Sequence, residues 1–92
     1  MSNGETNHEW LVALTHDLRS ASGAQYRDLA LALRAAIASG EVHVGTKLPP
    51  QRELARLLSV GRTTVVSAYN LLCAESLIVM RQGAGTWVVR RP

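Results

Sequence analysis

Residues Gly61 to Ala74 read GRTTVVSAYNLLCA, and the rest of the predicted fold is organised around them. Four apolar residues of this stretch repeat at the i, i+3, i+4, i+7 spacing that places side chains on one face of a helix. These residues are Val65, Ala68, Tyr69 and Leu72. The spacing predicts a helix that packs this face against a core.

The opposite face of the same helix has a different chemistry. It carries one guanidinium, three short hydrogen-bonding side chains, one valine and no carboxylate: Arg62, Thr63, Val66, Ser67 and Asn70. Arg62, Thr63 and Thr64 also lie in the first turn, where free N–H groups and the helix dipole favour an anion such as phosphate. An ordinary half-buried helix with a polar outside is the alternative interpretation of this stretch alone.

The segment before this helix predicts a helix-turn-helix. Residues 51–58 read as a short helix that buries Leu54, Ala55 and Leu58. Ser59, Val60 and Gly61 then form a tight turn, and the second helix begins at once. Two helices joined by about three residues that include a glycine are the layout of a helix-turn-helix.

The segment after the helix predicts a β-hairpin. Residues 77–81 and 86–89 are rich in apolar and β-branched residues, and residues 82–85 (QGAG) join them as a glycine-containing turn. A helix-turn-helix followed directly by a hairpin is a winged helix. The fold class is therefore predicted as mainly α with a small β-hairpin (α+β).

A further helix is predicted upstream of the helix pair. Tyr26, Leu29, Ala30, Leu33 and Ile37 share one helix face, and Ser39-Gly40 end the helix. Residues 41–50 then read as a short extended segment. Its Pro49-Pro50 pair excludes helix before about residue 50.

The N-terminal extension, residues 1–24, predicts a short amphipathic helix and a linker. Thr6 and Glu9 form a possible capping box, and Trp10 or Leu11, Leu14 and Leu18 follow at helical spacing. Residues 20–24 (SASGA) read as the linker. The apolar stripe either packs on the same domain, with Leu31 as the expected contact, or docks on another chain or on a missing domain. We assign residues 25–90 to the winged helix and residues 91–92 to the start of a linker to an absent C-terminal domain.

Composition and charge limit the class of protein. The 92 residues, 47% of them apolar, suffice for one domain with a modest core. Residues 25–92 contain nine basic and four acidic side chains, a net charge of +5, which suits either a polyanionic partner or a soluble basic domain. The lone Cys73 weakly favours a reducing compartment. No apolar run approaches the roughly 20 residues of a membrane span, so we predict a cytoplasmic protein without a membrane partner.

The sequence offers no pattern of an enzyme or a metal site. Its three histidines, His8, His16 and His43, are scattered, and no second ligand stands at metal-binding spacing. Paired carboxylates and a phosphate-binding glycine loop are also absent from the sequence. We therefore predict no catalytic residue, no metal ligand and no enzymatic activity.

The run LPPQRELARLLSVGRTTVVSAYNLLCAESLIVMRQGAGTWV, residues 48–88, resembles the DNA-binding domain of GntR-type bacterial transcription regulators. The resemblance covers about residues 26–89, and LPPQRELA, GRTTV and RQGAGTW carry it together. TVVSAY, residues 64–69, is most similar to the MocR-like branch. That branch implies a parent protein, expected to be a homodimer, whose large C-terminal domain binds pyridoxal phosphate. This chain itself implies no cofactor, and alone it is expected to be a monomer or a weak dimer.

The resemblance also implies the DNA contacts. It assigns them to Arg52, to the first-turn residues Arg62, Thr63 and Thr64, and to Gln82 and Gly83 at the wing tip. Val66 and Ser67 follow on the same outer face, and Arg81 stands beside the tip. The helix 61–74 is expected to enter the major groove of a double-stranded operator, with the wing tip 82–85 at the minor groove. The implied function is that of a sequence-specific reader domain at the N-terminus of a transcription regulator.

Four positions depart from the family pattern. Gly61 and Pro50 replace the usual capping hydroxyl residues of the two helices, and Ser76 stands where glycine is usual. Val66 replaces a common arginine, so we expect no guanine or phosphate contact there and an exposed valine that either has no effect on binding or meets a thymine methyl group. A winged helix that binds proteins instead of DNA is the alternative function, because a fold does not fix its function.

Overall fold

The structure, a computed structural model, describes residues 25–92. It contains three helices and three strands in the order α1 (Gln25–Ser39), β1 (Lys47–Leu48), α2 (Gln51–Leu58), α3 (Arg62–Ala74), β2 (Ile78–Arg81) and β3 (Gly85–Val88). The predicted winged helix-turn-helix is confirmed. The amphipathic helix and the linker predicted within residues 1–24 lie outside the described residues.

The sheet has one strand more than the predicted hairpin. Its three strands are antiparallel in the order β1-β3-β2, so β3 is central. Ile78 pairs with Val88 and Arg81 with Gly85 in the hairpin, while Lys47 pairs with Trp87 across the other edge of β3. Within the segment 41–50, for which the sequence indicates an extended conformation, only Lys47–Leu48 forms a strand; its pairing could not be predicted because a two-residue strand has no periodicity.

The core lies between the three helices and the inner face of the sheet. Its larger members come from every element or the loops beside it: Leu29, Leu33, Ile37, Val42, Leu48, Leu54, Val65, Tyr69, Leu72, Leu77 and Val88. The predicted stripes of α2 and α3 are buried as expected. Burial of these apolar side chains is the main source of the fold's stability.

Tyr69 is the largest fully buried side chain of the described residues, and its hydroxyl makes a partly buried polar contact at the edge of the core. Its hydroxyl donates a 2.7 Å hydrogen bond to the carbonyl oxygen of Pro49, which stands between β1 and α2. Burial raises the pKa of the Tyr69 hydroxyl well above its ordinary value, so the group remains a neutral donor. One bond thus connects α3 to the start of α2.

The turn of the helix-turn-helix is closed by a left-handed residue. Ser59 adopts φ 57° at the end of α2, and Val60 donates its N–H to the carbonyl of Ala55 at 3.0 Å. Both unusual caps behave as the sequence implied: neither Pro50 before α2 nor Gly61 before α3 makes a side-chain capping hydrogen bond. Backbone hydrogen bonds alone stabilise this turn, in which the chain changes direction within three residues.

Ser76, which stands where the family usually has glycine, also lies in the left-handed region with φ 64°. It follows the C-cap residue of α3, and its N–H donates to the carbonyl of Cys73 at 2.9 Å. A side chain in this conformation costs roughly 1 kcal/mol relative to glycine. The departure is thus a tolerated local strain at the junction between α3 and the hairpin.

Tyr69→Phe is expected to lower the free energy of unfolding by about 1–2 kcal/mol at neutral pH, because the Pro49 carbonyl loses its donor while the ring still fills the core. Folding raises the pKa of the Tyr69 hydroxyl. The contribution of this group to the free energy of unfolding is therefore complete below about pH 10 and is lost as the pH rises above that value. The stability difference between wild type and Tyr69→Phe should therefore narrow at about pH 11. Urea denaturation of both proteins at neutral pH and at about pH 11 measures this stability difference.

Tyr26→Phe is the matched control. The Tyr26 hydroxyl accepts an exposed hydrogen bond from Arg27 Nε at 3.2 Å, so its loss should change the stability by less than about 0.5 kcal/mol. Equal effects of the two substitutions would show that the buried Tyr69 hydrogen bond does not hold the helices together.

Candidate nucleic-acid interface

The first turn of α3 presents a cation and two hydroxyl groups beside backbone N–H groups that no side chain caps. Arg62 and Thr63 are exposed, and Thr64 is half-buried. This turn contains no acidic residue, and Gly61 provides no side-chain acceptor for its N–H groups. The positive end of the helix dipole lies at the same place, so the turn is suited to an oxyanion.

The rest of the outer face differs from the prediction at one position. Ser67 is half-buried and Asn70 is exposed, but Val66 is half-buried rather than exposed. The reason is its place on the helix, since Val66 lies only about 60° around the axis from the fully buried Tyr69. Val66 therefore stands at the edge of the outer face and belongs neither to its centre nor to the core.

Arg52 lies exposed in the first turn of α2. Glu75 lies 3.4 Å from Arg34 of α1, measured between Oε1 and Nε. That is the one ion pair within residues 25–92, so no carboxylate of the described chain neutralises Arg52. Its guanidinium is therefore available to a ligand.

The wing is a tight turn with an exposed tip. Ala84 donates its N–H to the carbonyl of Arg81 at 3.0 Å, and Gly83, the third residue of this turn, has φ +78°. This positive φ at the third position alone is the geometry of a type II turn, which requires glycine there. Arg81, Gln82, Gly83 and Ala84 are all exposed, so the tip presents backbone and polar side chains together.

Gly85 allows β1 to approach the wing closely. It has φ +135°, and a Cβ at this position would lie 2.6 Å from Cε of Lys47. The Lys47 ammonium in turn lies 5.5 Å from the centre of the Trp87 ring, within the range of a cation–π contact. Lys47 is the only lysine of the sequence, and it joins the basic groups at the wing.

The sequence analysis missed Lys47. Its neighbours Leu48 and Pro49 indicated an extended segment, but its place beside the wing follows from the pairing with Trp87 across β1 and β3. A long-range strand pairing of two residues leaves no local signal, so only the three-dimensional structure reveals this group.

A groove of about 390 Å³ separates the wing from the start of α2. Lys47, Gln51, Arg81 and Gln82 are among its lining residues, and Gln51 Nε2 lies 3.5 Å from the sulfur of Met80. The structure thus brings the predicted wing residues next to the first turn of α2. The first turn of α3 is outside this groove and is connected to α2 through the Ser59–Gly61 turn.

Other kinds of site find no support in the part of the chain that the structure describes. No group of three or more potential metal ligands occurs among residues 25–92. None of the helices described is both long and apolar enough to cross a membrane. Cys73 packs partly against the core, and burial raises the pKa of its thiol despite an opposing hydrogen bond with the backbone of Met80.

A helix-turn-helix with a glycine-tipped wing and a carboxylate-free outer face defines the class: a winged helix-turn-helix DNA-binding domain. Residues 25–88 match the family described as bacterial regulatory proteins, gntR family. The chain belongs to the GntR family of DNA-binding transcription regulators.

Relatives of known name agree with this assignment. The chain is 42% identical over 74 residues to a probable rhizopine catabolism regulatory protein, MocR, of Rhizobium meliloti, with 80% of this chain and 15% of that protein covered. It is 36% identical to an Escherichia coli Uxu operon transcriptional regulator, with 78% of this chain and 29% of that protein covered. The chain thus spans less than a third of the length of either relative.

Two solved structures support the fold. YtrA from Sulfolobus acidocaldarius, a GntR-family transcription factor, matches with a TM-score of 0.71 at 36% identity, covering 80% of this chain and 78% of that one. The DNA-binding domain of AraR in complex with operator ORE1 matches with a TM-score of 0.67 at 26% identity, covering 75% of this chain and 83% of that one.

Proposed function

We propose that residues 25–92 read a double-stranded DNA operator, with α3 in the major groove and the tip of the wing at the minor groove. The single observation that supports this most strongly is the first turn of α3, where exposed Arg62 and Thr63 stand beside uncapped N–H groups with no acidic residue among them. The similarity to the AraR domain, which was solved with an operator, supports the same mode.

Three segments supply the contacts in this proposal. Arg62, Thr63 and Thr64 bind phosphate or the edge of guanine, and Ser67 contributes a hydroxyl further along α3. Arg52 binds phosphate from the first turn of α2. Arg81, Gln82 and Gly83 approach the minor groove, since a glycine at the tip lets the backbone come close to the DNA.

Lys47 adds a phosphate contact from β1. Its ammonium lies over Trp87 at the base of the wing, and the aliphatic part of its side chain passes close to Gly85. The described residues carry a net charge of +5, and such an excess makes affinity for a polyanion depend strongly on salt.

Arg62→Ala and Arg52→Ala are each expected to weaken binding to a duplex. If the contact is to phosphate, each should reduce the slope of log affinity against log salt by about 1, because one fewer counterion is released. Gel shifts or fluorescence anisotropy at several salt concentrations measure both quantities.

Arg27→Ala is the matched control for this experiment. It removes the same charge from α1, at a surface shared with Leu71 and Glu75 near the C-terminal end of α3, far from Arg62. Its salt slope should equal that of the wild type. An affinity that is indifferent to salt in all these proteins would contradict DNA binding and favour a protein-interaction module.

Val66→Arg tests how α3 lies in the groove. A half-buried valine at the edge of the outer face is expected to favour thymine, whose C5-methyl group is the apolar group of the major groove. The arginine should move the preferred base from T toward G, raise non-specific affinity and steepen the salt dependence.

Selection from randomised duplexes compares the two proteins, and circular dichroism checks that both are folded. Asn70→Ala is the control. It changes an exposed residue of the same face, so it shows whether a substitution at another position of this face alters the base preference assigned to Val66. Identical base preferences of wild type and Val66→Arg would mean that Val66 does not face the DNA. Loss of folding would mean that the side chain belongs to the core.

We propose a cytoplasmic transcription regulator as the parent protein, in which this domain is joined to a second domain. The similarity to MocR supports the MocR-like branch, for which pyridoxal phosphate would bind outside this chain. No residue of 25–92 is assigned to that cofactor. We infer that dimerisation of such a parent would come from the second domain, with this domain alone monomeric or weakly dimeric and without enzymatic activity.

A further inference from the structure

A second groove lies on the side of the domain formed by α1 and α3. Its volume is about 340 Å³, and Ala30, Leu31, Leu71 and Leu72 provide an apolar lining. Leu31 is 58% exposed and Leu71 38% exposed, although both are large apolar side chains. The groove takes no part in the proposed DNA contacts, so these exposed leucines need another explanation.

The rim of this groove is charged. Arg27 and Arg34 lie on α1, and Glu75 lies opposite at the end of α3, which gives the rim a net positive charge. Glu75 Oε1 is buried and accepts no hydrogen bond within residues 25–92, although Arg34 Nε is 3.4 Å away. The groove therefore offers an apolar floor, a surplus of cations and one acceptor without a donor.

We propose that the N-terminal segment of this same chain, residues 6–19, docks as a helix in this groove. The segment has the apolar stripe of Trp10, Leu14 and Leu18, and its charged side chains Glu9, Asp17 and Arg19 give it a net charge of −1. Its apolar stripe matches the floor, and its charge is opposite to that of the rim.

Chain connectivity favours this occupant. The groove begins at Tyr26 and Arg27, in the first turn of α1, and residues 20–24 form a five-residue connection to the segment. A connection of two to five residues is the length that joins two antiparallel helices in an αα-hairpin. Tethering at this distance gives an effective concentration in the millimolar range, which a separate chain does not have.

The antiparallel arrangement predicts a register. If residues 6–19 run back along α1 with the same rise per residue, Asp17 comes level with Arg27, Leu14 with Ala30 next to Leu31, and Trp10 with Arg34. The pairing would place opposite charges at the linker end of the groove and apolar groups at its middle. It would also bring the indole N–H of Trp10 to the side where Glu75 Oε1 lacks a donor.

A second copy of the chain is a poorer occupant. Packing two such grooves face to face would bring Arg27 and Arg34 of one copy toward the same residues of the other, and like charges oppose this association. At about 340 Å³ the groove accepts protruding side chains of a helix rather than a whole element. Docking in cis therefore agrees best with the charge and the connectivity.

The direct test is a nuclear Overhauser measurement on the full 92-residue chain. We expect contacts from the Trp10 indole and the Leu14 methyl groups to the methyl groups of Leu31 and Leu71. A sample that mixes ¹³C-labelled and unlabelled chains separates contacts within a chain from contacts between chains. Contacts within one chain support the proposal. Absence of these contacts, or contacts that occur only between chains, overturns it.

A double-mutant cycle provides a second readout. Trp10→Ala and Leu31→Ser should each lower the urea midpoint, and the double variant should lower it by less than the sum, because both remove the same contact. Val44→Ser is the matched control: Val44 is 51% exposed and is not among the lining residues of the groove, so its effect should add to that of Trp10→Ala. Strict additivity of Trp10→Ala with Leu31→Ser would overturn the docking.

Discussion

The hydrogen bond from Tyr69 to the Pro49 carbonyl is the contact on which the arrangement of the helix pair depends. It lies partly buried at the edge of the apolar core, where a carbonyl without a donor is costly, and it connects the middle of α3 to the residue before the start of α2. The carbonyl of Pro50 accepts the N–H of Leu54 at 2.9 Å inside α2, whereas the carbonyl of Pro49 accepts the Tyr69 hydroxyl. The orientation of α2 against α3 follows from this bond and from the three-residue turn between the helices.

The helix pair α2 and α3 fixes the relative positions of the basic groups on the proposed DNA-binding surface. Because α3 begins one residue after the turn, its uncapped N–H groups and Arg62 are held at a fixed place relative to Arg52 on α2. The sheet adds the wing on the side of α2, where Lys47 from β1 and Arg81 from β2 lie beside a common groove. The proposed interface is therefore a set of basic groups from four elements held by one core.

Much of this fold follows from the sequence because its signals are local. The stripe from Val65 to Leu72 predicts α3 and its buried face, and the glycine-containing turn between two apolar runs predicts the hairpin. The third strand was not predicted, since the pairing of Lys47 with Trp87 spans 40 residues of sequence and involves two residues of β1. The partial burial of Val66 was also missed, because a helical repeat gives the direction of a side chain but not the width of the neighbouring element. The predicted DNA-contact residues remain predictions.

The most direct test of the central claim is an amide chemical-shift titration of the ¹⁵N-labelled chain with a duplex of about 20 base pairs, two helical turns, at low salt. We expect the largest shifts in the first turn of α3, in the first turn of α2 and at residues 81–85, and we expect these shifts to diminish as salt is added. Residues 26–38 of α1 should change little. Shifts confined to α1 and the C-terminal end of α3, or no shifts at low salt, would contradict the claim that this face binds DNA.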